Sequence, residues 1–216
     1  MATFTVNNGI LPAQRNTENL VFTKDSMGYR EFFFKYRSYT PIPLIIAALI
    51  LAKPSGWSLL IGFAIAVCGQ LTRLWALRYS GSATRTTGRV GADELVTNGP
   101  YGHLRNPLYA GNFLLSLGVL IMAWPWMPWM LLLYLILFGI QYYAIITLEE
   151  DFLRGKFPQV FSEYETAVPR IIPRITSWGR GDRLPTTWRK ALRTERNSLQ
   201  SFSLVSLLIF LIWLFR

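Results

Sequence analysis

The chain has 216 residues, 51% hydrophobic and 15% aromatic, with a formal net charge of +10. A single cysteine, Cys68, and a single histidine, His103, exclude an intrachain disulfide and any Cys/His metal centre of zinc or iron type, so no metal is expected. The apolar residues come in long uninterrupted runs rather than periodic stripes, which makes the bilayer the expected solvent. Basic loops beside membrane spans then account for the charge, and no nucleic-acid partner is expected.

The first forty residues carry charges and lack the apolar core of a signal peptide, so no cleavage is expected. Residues 1–38 read as a cytoplasmic N-terminal segment whose first twenty or so are loose. Five spans follow, at 39–52, 57–77, 108–123, 129–148 and 199–215, rich in Leu, Ile and Val with aromatics near their ends. The first is short for a 30 Å core, though Phe32 to Phe34 can lengthen it if Lys35 and Arg37 snorkel. Between the second and third spans, residues 80–91 are glycine-rich and basic. They lack a P-loop lysine and follow no strand, so they read as a flexible loop. The third and fourth spans are joined by Trp124, Pro125, Trp126, Met127 and Pro128 and form an antiparallel hairpin. In the polar interval 149–198, Pro169, Pro173 and Pro185 break the chain into short pieces that can fold over the hairpin end as a lid. Residues 188–196 are expected to form an interfacial helix on anionic headgroups, started by Pro185, or a solvated linker helix. The fold class is therefore all-α integral membrane, with a core at 39–173 and a basic segment plus C-terminal helix at 174–216. Gly111 and Gly118 lack Gly-x-x-x-Gly spacing, which leaves the oligomeric state open.

Of the 22 Lys and Arg residues, only Lys53 and Arg216 fall on one side of this arrangement. Positive flanks stay cytoplasmic during insertion, which places the N-terminus inside, the C-terminus outside, and residues 95–111 and 149–151 at the cytoplasmic face.

Those two polar segments bracket the hairpin and so meet at one interface. Asn106 before Pro107 is a helix-start signature, with the asparagine able to accept bonds from free backbone N–H groups. Together with Arg105 this positive helix end suits a carboxylate or phosphate. Glu149 and Glu150 sit at the opposite pole of the neighbouring helix and suit a cation. Adjacent anion and cation sites fit a zwitterion such as the amino-acid end of a cofactor; an Arg–Glu interfacial ion pair fits them equally. Tyr101 and Tyr109 can pack on a ligand or simply anchor helices.

The ordered set Leu95, Val96, Thr97, Gly99, Pro100, Tyr101, Arg105, Asn106, Pro107, Tyr109 and Gly111, then Glu149 and Glu150, then Phe157, Tyr164 and the 168–173 stretch, resembles the membrane methyltransferases. That family includes isoprenylcysteine carboxyl methyltransferases and phospholipid N-methyltransferases. Gly69, Arg73, Trp75 and Ala76 extend the resemblance to roughly residues 60–173. It implies S-adenosylmethionine in a cytoplasmic pocket and a lipophilic acceptor entering from the bilayer. Arg105 would steady the cofactor carboxylate or the acceptor, and Glu149 and Glu150 the ammonium. Pro100, Tyr101, Tyr109 and Gly111 would shape the pocket, with the backbone of Leu95 to Thr97 near the adenine. Asn106 stands where the family often has histidine, and Glu94 lies near another such position. Asparagine before proline occurs in phospholipid-methylating relatives, which favours a lipid amine over a prenyl-cysteine carboxylate. Membrane sterol reductases, which use NADPH, resemble the same Arg-x-Pro-x-Tyr string and stand as the alternative enzyme class. A non-enzymatic membrane scaffold is the third reading.

Overall fold

The computed structural model describes residues 28–81, 94–179 and 184–216, and among them there is no strand. The α-helices are α1 (Tyr29–Tyr36), α2 (Ile42–Ile50), α3 (Gly56–Ser80), α4 (Pro107–Ala123), α5 (Trp129–Lys156), α6 (Pro158–Ala167) and α7 (Trp188–Phe215), with a short 3₁₀ turn at Gly99–Gly102. Three of them, α3, α5 and α7, with 25, 28 and 28 residues, are long and apolar enough to cross a membrane. At 1.5 Å per residue the 17 residues of apolar α4 reach about 26 Å. The chain is an integral membrane protein on this basis. Most of the N-terminal segment and of the glycine-rich loop at 80–91 lies outside the described residues.

Local chemistry sets the helix ends. Ser55 and Ser58 form a reciprocal capping box at the start of α3, and Thr187 caps α7. At its other end α4 closes on Trp124, held left-handed at φ 47°, a conformation that glycine usually supplies. Pro125 then prevents continuation.

Two expectations about spans are corrected. The first span, placed at 39–52, is the nine-residue α2, and the lengthening through Phe32 to Phe34 does not occur, because a turn at 37–41 separates α2 from α1. Continuing α1 would require the N–H of residue 41 to reach the Arg37 carbonyl, and residue 41 is proline. That carbonyl instead accepts from Thr40 Oγ1 at 3.4 Å and from Gln141 Nε2 of α5 at 3.5 Å. Thr40 Oγ1 also donates to Gln141 Oε1 at 2.8 Å, so the break is fastened to the middle of α5. Residues 188–196, in turn, are not a separate interfacial helix. They are the first turns of α7, capped by Thr187 rather than started by Pro185.

α3 and α4 pack along their length through small residues. A Cβ on Gly62 would lie 2.4 Å from the Met122 nitrogen, one on Gly69 2.4 Å from the Leu115 nitrogen, and one on Gly118 2.4 Å from the Ala66 nitrogen. Gly111 and Gly118 therefore face α3 within the chain. α4 and α5 meet differently, through the rings of Phe113, Tyr134 and Phe138 and their neighbours. α7 lies on α3 and α4, with Ile209 against Ala52, Met122 and Ala123, and Phe202 stacked on Phe63.

The bundle has two chemically distinct ends. At one, Lys53 N donates to Ala123 O, and the Arg216 guanidinium reaches the Ala52 carbonyl. At the other, Arg78, Arg105, Glu149, Glu150 and the start of α7 gather. This is the asymmetry that the charge count anticipates.

Candidate functional site

Consecutive residues on a helix point about 100° apart, so Glu149 and Glu150 at the end of α5 serve different neighbours. Glu150 is 2% exposed. Arg170 grips it with two parallel bonds, Nε to Oε1 at 3.2 Å and Nη2 to Oε2, and Arg105 Nη1 lies 3.2 Å from Oε1. Asn106 Nδ2 adds a long contact of 3.5 Å. A fork of this kind is strong and geometrically specific. Arg105 also stands 3.8 Å from Glu165, which Arg154 holds at 2.7 Å; Arg154 reaches Asp151, and Asp151 reaches Arg30 at 2.6 Å. The bond from Glu150 raises Arg170 above the ordinary arginine value. The bond from Arg154 holds the Glu165 carboxyl below the usual carboxylate range. This knot ties α1, α5, α6, the entry to α4 and residues 168–170 together. The expected Arg–Glu meeting is thus present, as an ion-pair network centred on Glu150.

Glu149 instead turns into the seam between α4 and α5. It accepts a 2.5 Å bond from the Tyr109 hydroxyl. The Tyr109 ring lies 5.0 Å from that of Tyr142, whose hydroxyl accepts from Asn112 Nδ2 at 2.9 Å and whose ring stacks on Phe138 at 4.0 Å. Deeper in, Ser116 and Tyr134 share a 2.9 Å bond. Arg37 stands at the α1–α2 break, which Gln141 fastens to α5, and Arg73 belongs to α3. Arg73 Nε is held at 2.6 Å by Glu195 of α7, which is fully buried and also accepts from Gln70 at 3.2 Å.

The remaining sequence candidates fall elsewhere. Leu95 packs on Phe161, Tyr164 and Val168, and Thr97, Pro100 and Tyr101 are buried; Val96 is half-buried. Tyr164 donates to the Tyr101 carbonyl at 2.8 Å, Trp178 N to Gly102 O at 3.0 Å, and Arg105 N to Pro169 O at 3.0 Å. Burial pushes the Tyr164 hydroxyl well above the ordinary tyrosine value. The chain after α5 thus folds back over residues 101–105. Gly99 sits at φ +58°, with any Cβ 2.5 Å from the Tyr79 ring. A Cβ on Gly111 would meet Arg73 Cγ and Gly69 O, so this residue serves the approach of α3 rather than the α4–α5 seam. Asn106 stands at the N-cap of α4 with no side-chain cap bond, because its amide faces Glu150. Pro107 occupies the first turn as expected.

Arg37, Arg73, Asn112, Tyr142, Gln70 and Glu195 were not assigned to the site from sequence. Asn112 and Ser116 follow Tyr109 at i+3 and i+7, a polar stripe within an apolar helix, and that pattern is a legible signal. Arg105 Nε is buried and has no hydrogen-bond partner among the described residues, an orphaned donor suited to a carboxylate. Among the described residues no group of three or more His, Cys, Asp and Glu is placed to hold a metal ion.

An all-helical membrane bundle with this polar end has a match among known families. Residues 57–160 match the phospholipid methyltransferase family, so the resemblance read from the sequence stands for this segment. The cobalt-zinc-cadmium resistance protein CzcN of Cupriavidus metallidurans is 33% identical over 129 residues, covering 60% of this chain and 52% of that protein. The nickel-cobalt-cadmium resistance protein NccN of Alcaligenes xylosoxydans xylosoxydans is 31% identical over 119 residues, 54% of this chain and 49% of that protein. The chain thus spans about half the length of these curated relatives. No solved structure matches it significantly.

Proposed function

We propose that the chain is an S-adenosylmethionine-dependent membrane methyltransferase acting on a lipid or other hydrophobic acceptor, with a lipid amine preferred. The observation that carries this reading is the division of labour between adjacent glutamates. Glu150 is neutralised by Arg105 and Arg170, whereas Glu149 faces a tyrosine hydroxyl inside the bundle. A carboxylate at that depth, oriented by a neutral donor, suits a cationic ligand.

The residues present fit the cofactor's amino-acid end. Arg105, with its orphaned Nε, would hold the carboxylate, and Glu149 the ammonium. When bound, the cofactor supplies an electrophilic methyl group on a sulfonium sulfur. The chain's own contribution is alignment and a negative environment, which an in-line displacement needs more than a strong acid or base. An amine acceptor also has to release a proton, and Glu149 is placed to receive it; a carboxylate or thiolate acceptor needs no base. The Asn112–Tyr142 pair and the Phe138 ring form the adjoining wall. The site end is taken as cytoplasmic and the C-terminus as lying on the opposite face.

Calorimetric binding of S-adenosylmethionine and S-adenosylhomocysteine to the detergent-purified protein, with NADPH alongside, tests the reading. Binding of either sulfur ligand, weakened in Glu149→Gln, is the expected result. NADPH binding alone would replace the proposal with a reductase, and silence from all three in a folded sample would leave a scaffold.

A further inference from the structure

Between α6 and α7 the polar chain presents largely exposed apolar side chains. Ile171, Ile172 and Ile175 are 77%, 78% and 96% exposed. Arg170 and Arg174 alternate with them. We propose that this loop, residues 170–175, inserts into the interfacial layer of the bilayer, with the isoleucines among the upper acyl chains and the two arginines at headgroup level.

Three observations fix its depth and its occupant. The loop is held rigidly: Arg105 N donates to Pro169 O, Arg174 N to His103 O, and His103 Nδ1 to Arg174 O at 2.9 Å. Arg174 Nη1 further donates to Ala167 O at 2.8 Å. It is held beside a membrane-facing aromatic. The His103 ring lies 6.0 Å from Trp75, which is exposed on span α3. Exposed Trp and Tyr near the ends of spans mark the headgroup level. The loop's charge also matches lipid phosphate. Each guanidinium carries five N–H donors, of which the contacts named to Glu150, or to Ala167 and Thr176, use two.

Isolated exposed apolar side chains need no explanation, but three within five residues of an otherwise polar segment do. Water would meet the isoleucines unfavourably, whereas the acyl boundary takes them at no cost to the arginines, which remain in the headgroups. The inference does not depend on methyl transfer.

A single-cysteine probe reads the depth. In a Cys68→Ser background, Ile172→Cys and, separately, Ile175→Cys are labelled with an environment-sensitive fluorophore. The protein is then reconstituted in nanodiscs containing lipid brominated high or low on the acyl chain. Both side chains are largely exposed, so neither variant threatens the fold. The expected result is blue-shifted emission, quenched several-fold more by the shallow bromines than by the deep ones. Red-shifted, unquenched emission would mean that the loop stands in water and overturns the proposal. Blue-shifted emission that bromines do not touch would mean that a protein surface, a second copy of this chain or another partner, covers the loop, and overturns it equally.

Discussion

The two faces of α4 are built on opposite rules. Towards α3 it offers Gly111, Leu115 and Gly118, and the helices approach until any added carbon would strike backbone. Towards α5 it offers Tyr109, Asn112, Phe113 and Ser116, and the helices are held apart by rings and hydroxyls. In lipid no hydrophobic effect drives helices together, so close backbone packing supplies cohesion. Rings and hydroxyls supply chemistry and space instead. One seam fixes α4, and the other uses that fixed surface to position Tyr109 against Glu149.

Enlarging the tight seam should have the largest effect. Gly69→Leu places side-chain atoms where Leu115 N and Gly111 O already sit, with only backbone to yield. Destabilisation of more than about 3 kcal/mol is expected, read as loss of monodisperse protein and of the thermal transition in detergent. Gly111→Ala should cost less because it adds one carbon rather than four, though that carbon still meets Arg73 Cγ at 2.5 Å and Gly69 O at 2.9 Å. On α5, Gly139 has nothing within 4 Å of its would-be Cβ, and Gly139→Ala should be neutral or stabilising by roughly 0.5–1 kcal/mol. Gly139, exposed and outside both seams, serves as the control, and a Gly69→Leu as well tolerated as Gly139→Ala would remove the tight seam from the scaffold.

Next in size is the knot at the mouth of the loose seam. Glu150→Ala leaves Arg105 and Arg170 facing each other without their shared carboxylate, at a cost on the order of 3 kcal/mol. Arg170→Ala should cost less, since Arg105 still neutralises the glutamate. A thermal-shift series on the two variants orders them; a silent Glu150→Ala would remove the network from the scaffold.

Inside the loose seam the expected outcome reverses. Glu149→Gln should leave the melting transition nearly unchanged, since the amide can still accept from Tyr109. It should weaken S-adenosylmethionine binding by on the order of 1–3 kcal/mol, the loss of one charged hydrogen bond. Tyr109→Phe should act in the same direction and less strongly. Calorimetry beside the melting curve separates the two effects, and a destabilised Glu149→Gln that binds normally would assign Glu149 to the fold.

Sequence reading located both seams unequally. Runs of apolar residues gave the helices, Arg105, Glu149 and Glu150 stood out as candidates because two polar segments bracket an apolar hairpin, and Tyr109 joined them through the family resemblance. The tight seam escaped notice. Gly62, Ala66 and Gly69 answer Gly111 and Gly118 across two helices, a pairing visible only once α3 and α4 are adjacent. The break at 37–41 was hidden for a related reason. Pro41 removes one donor, but the substitute comes from Gln141, a hundred residues away. Glu195 looked like one more charge in a basic stretch until continuous α7 buried it against Arg73. Within the site, the sequence grouped the two glutamates as a pair, and only helix phase against packed neighbours separated them.

The smallest expected effect lies at the outer rim, where the same acid–base pairing occurs in water. Arg154 meets Glu165 at 2.7 Å on the surface, and the bond holds the Glu165 carboxyl below its ordinary value. A carboxyl depressed in the folded state contributes stability that is present above its unfolded value and is lost as pH falls through its folded value. Because the pair is solvated and screened, the contribution is within the 0–1 kcal/mol of an exposed ion pair. Melting temperatures of wild type and Glu165→Gln should therefore differ slightly near neutrality, converge as the solution is acidified below pH ~4, and converge also in high salt. A difference as large as that for Glu150→Ala, or one that persists in acid, would show Glu165 acting through its 3.8 Å approach to Arg105, as part of the buried knot rather than its rim.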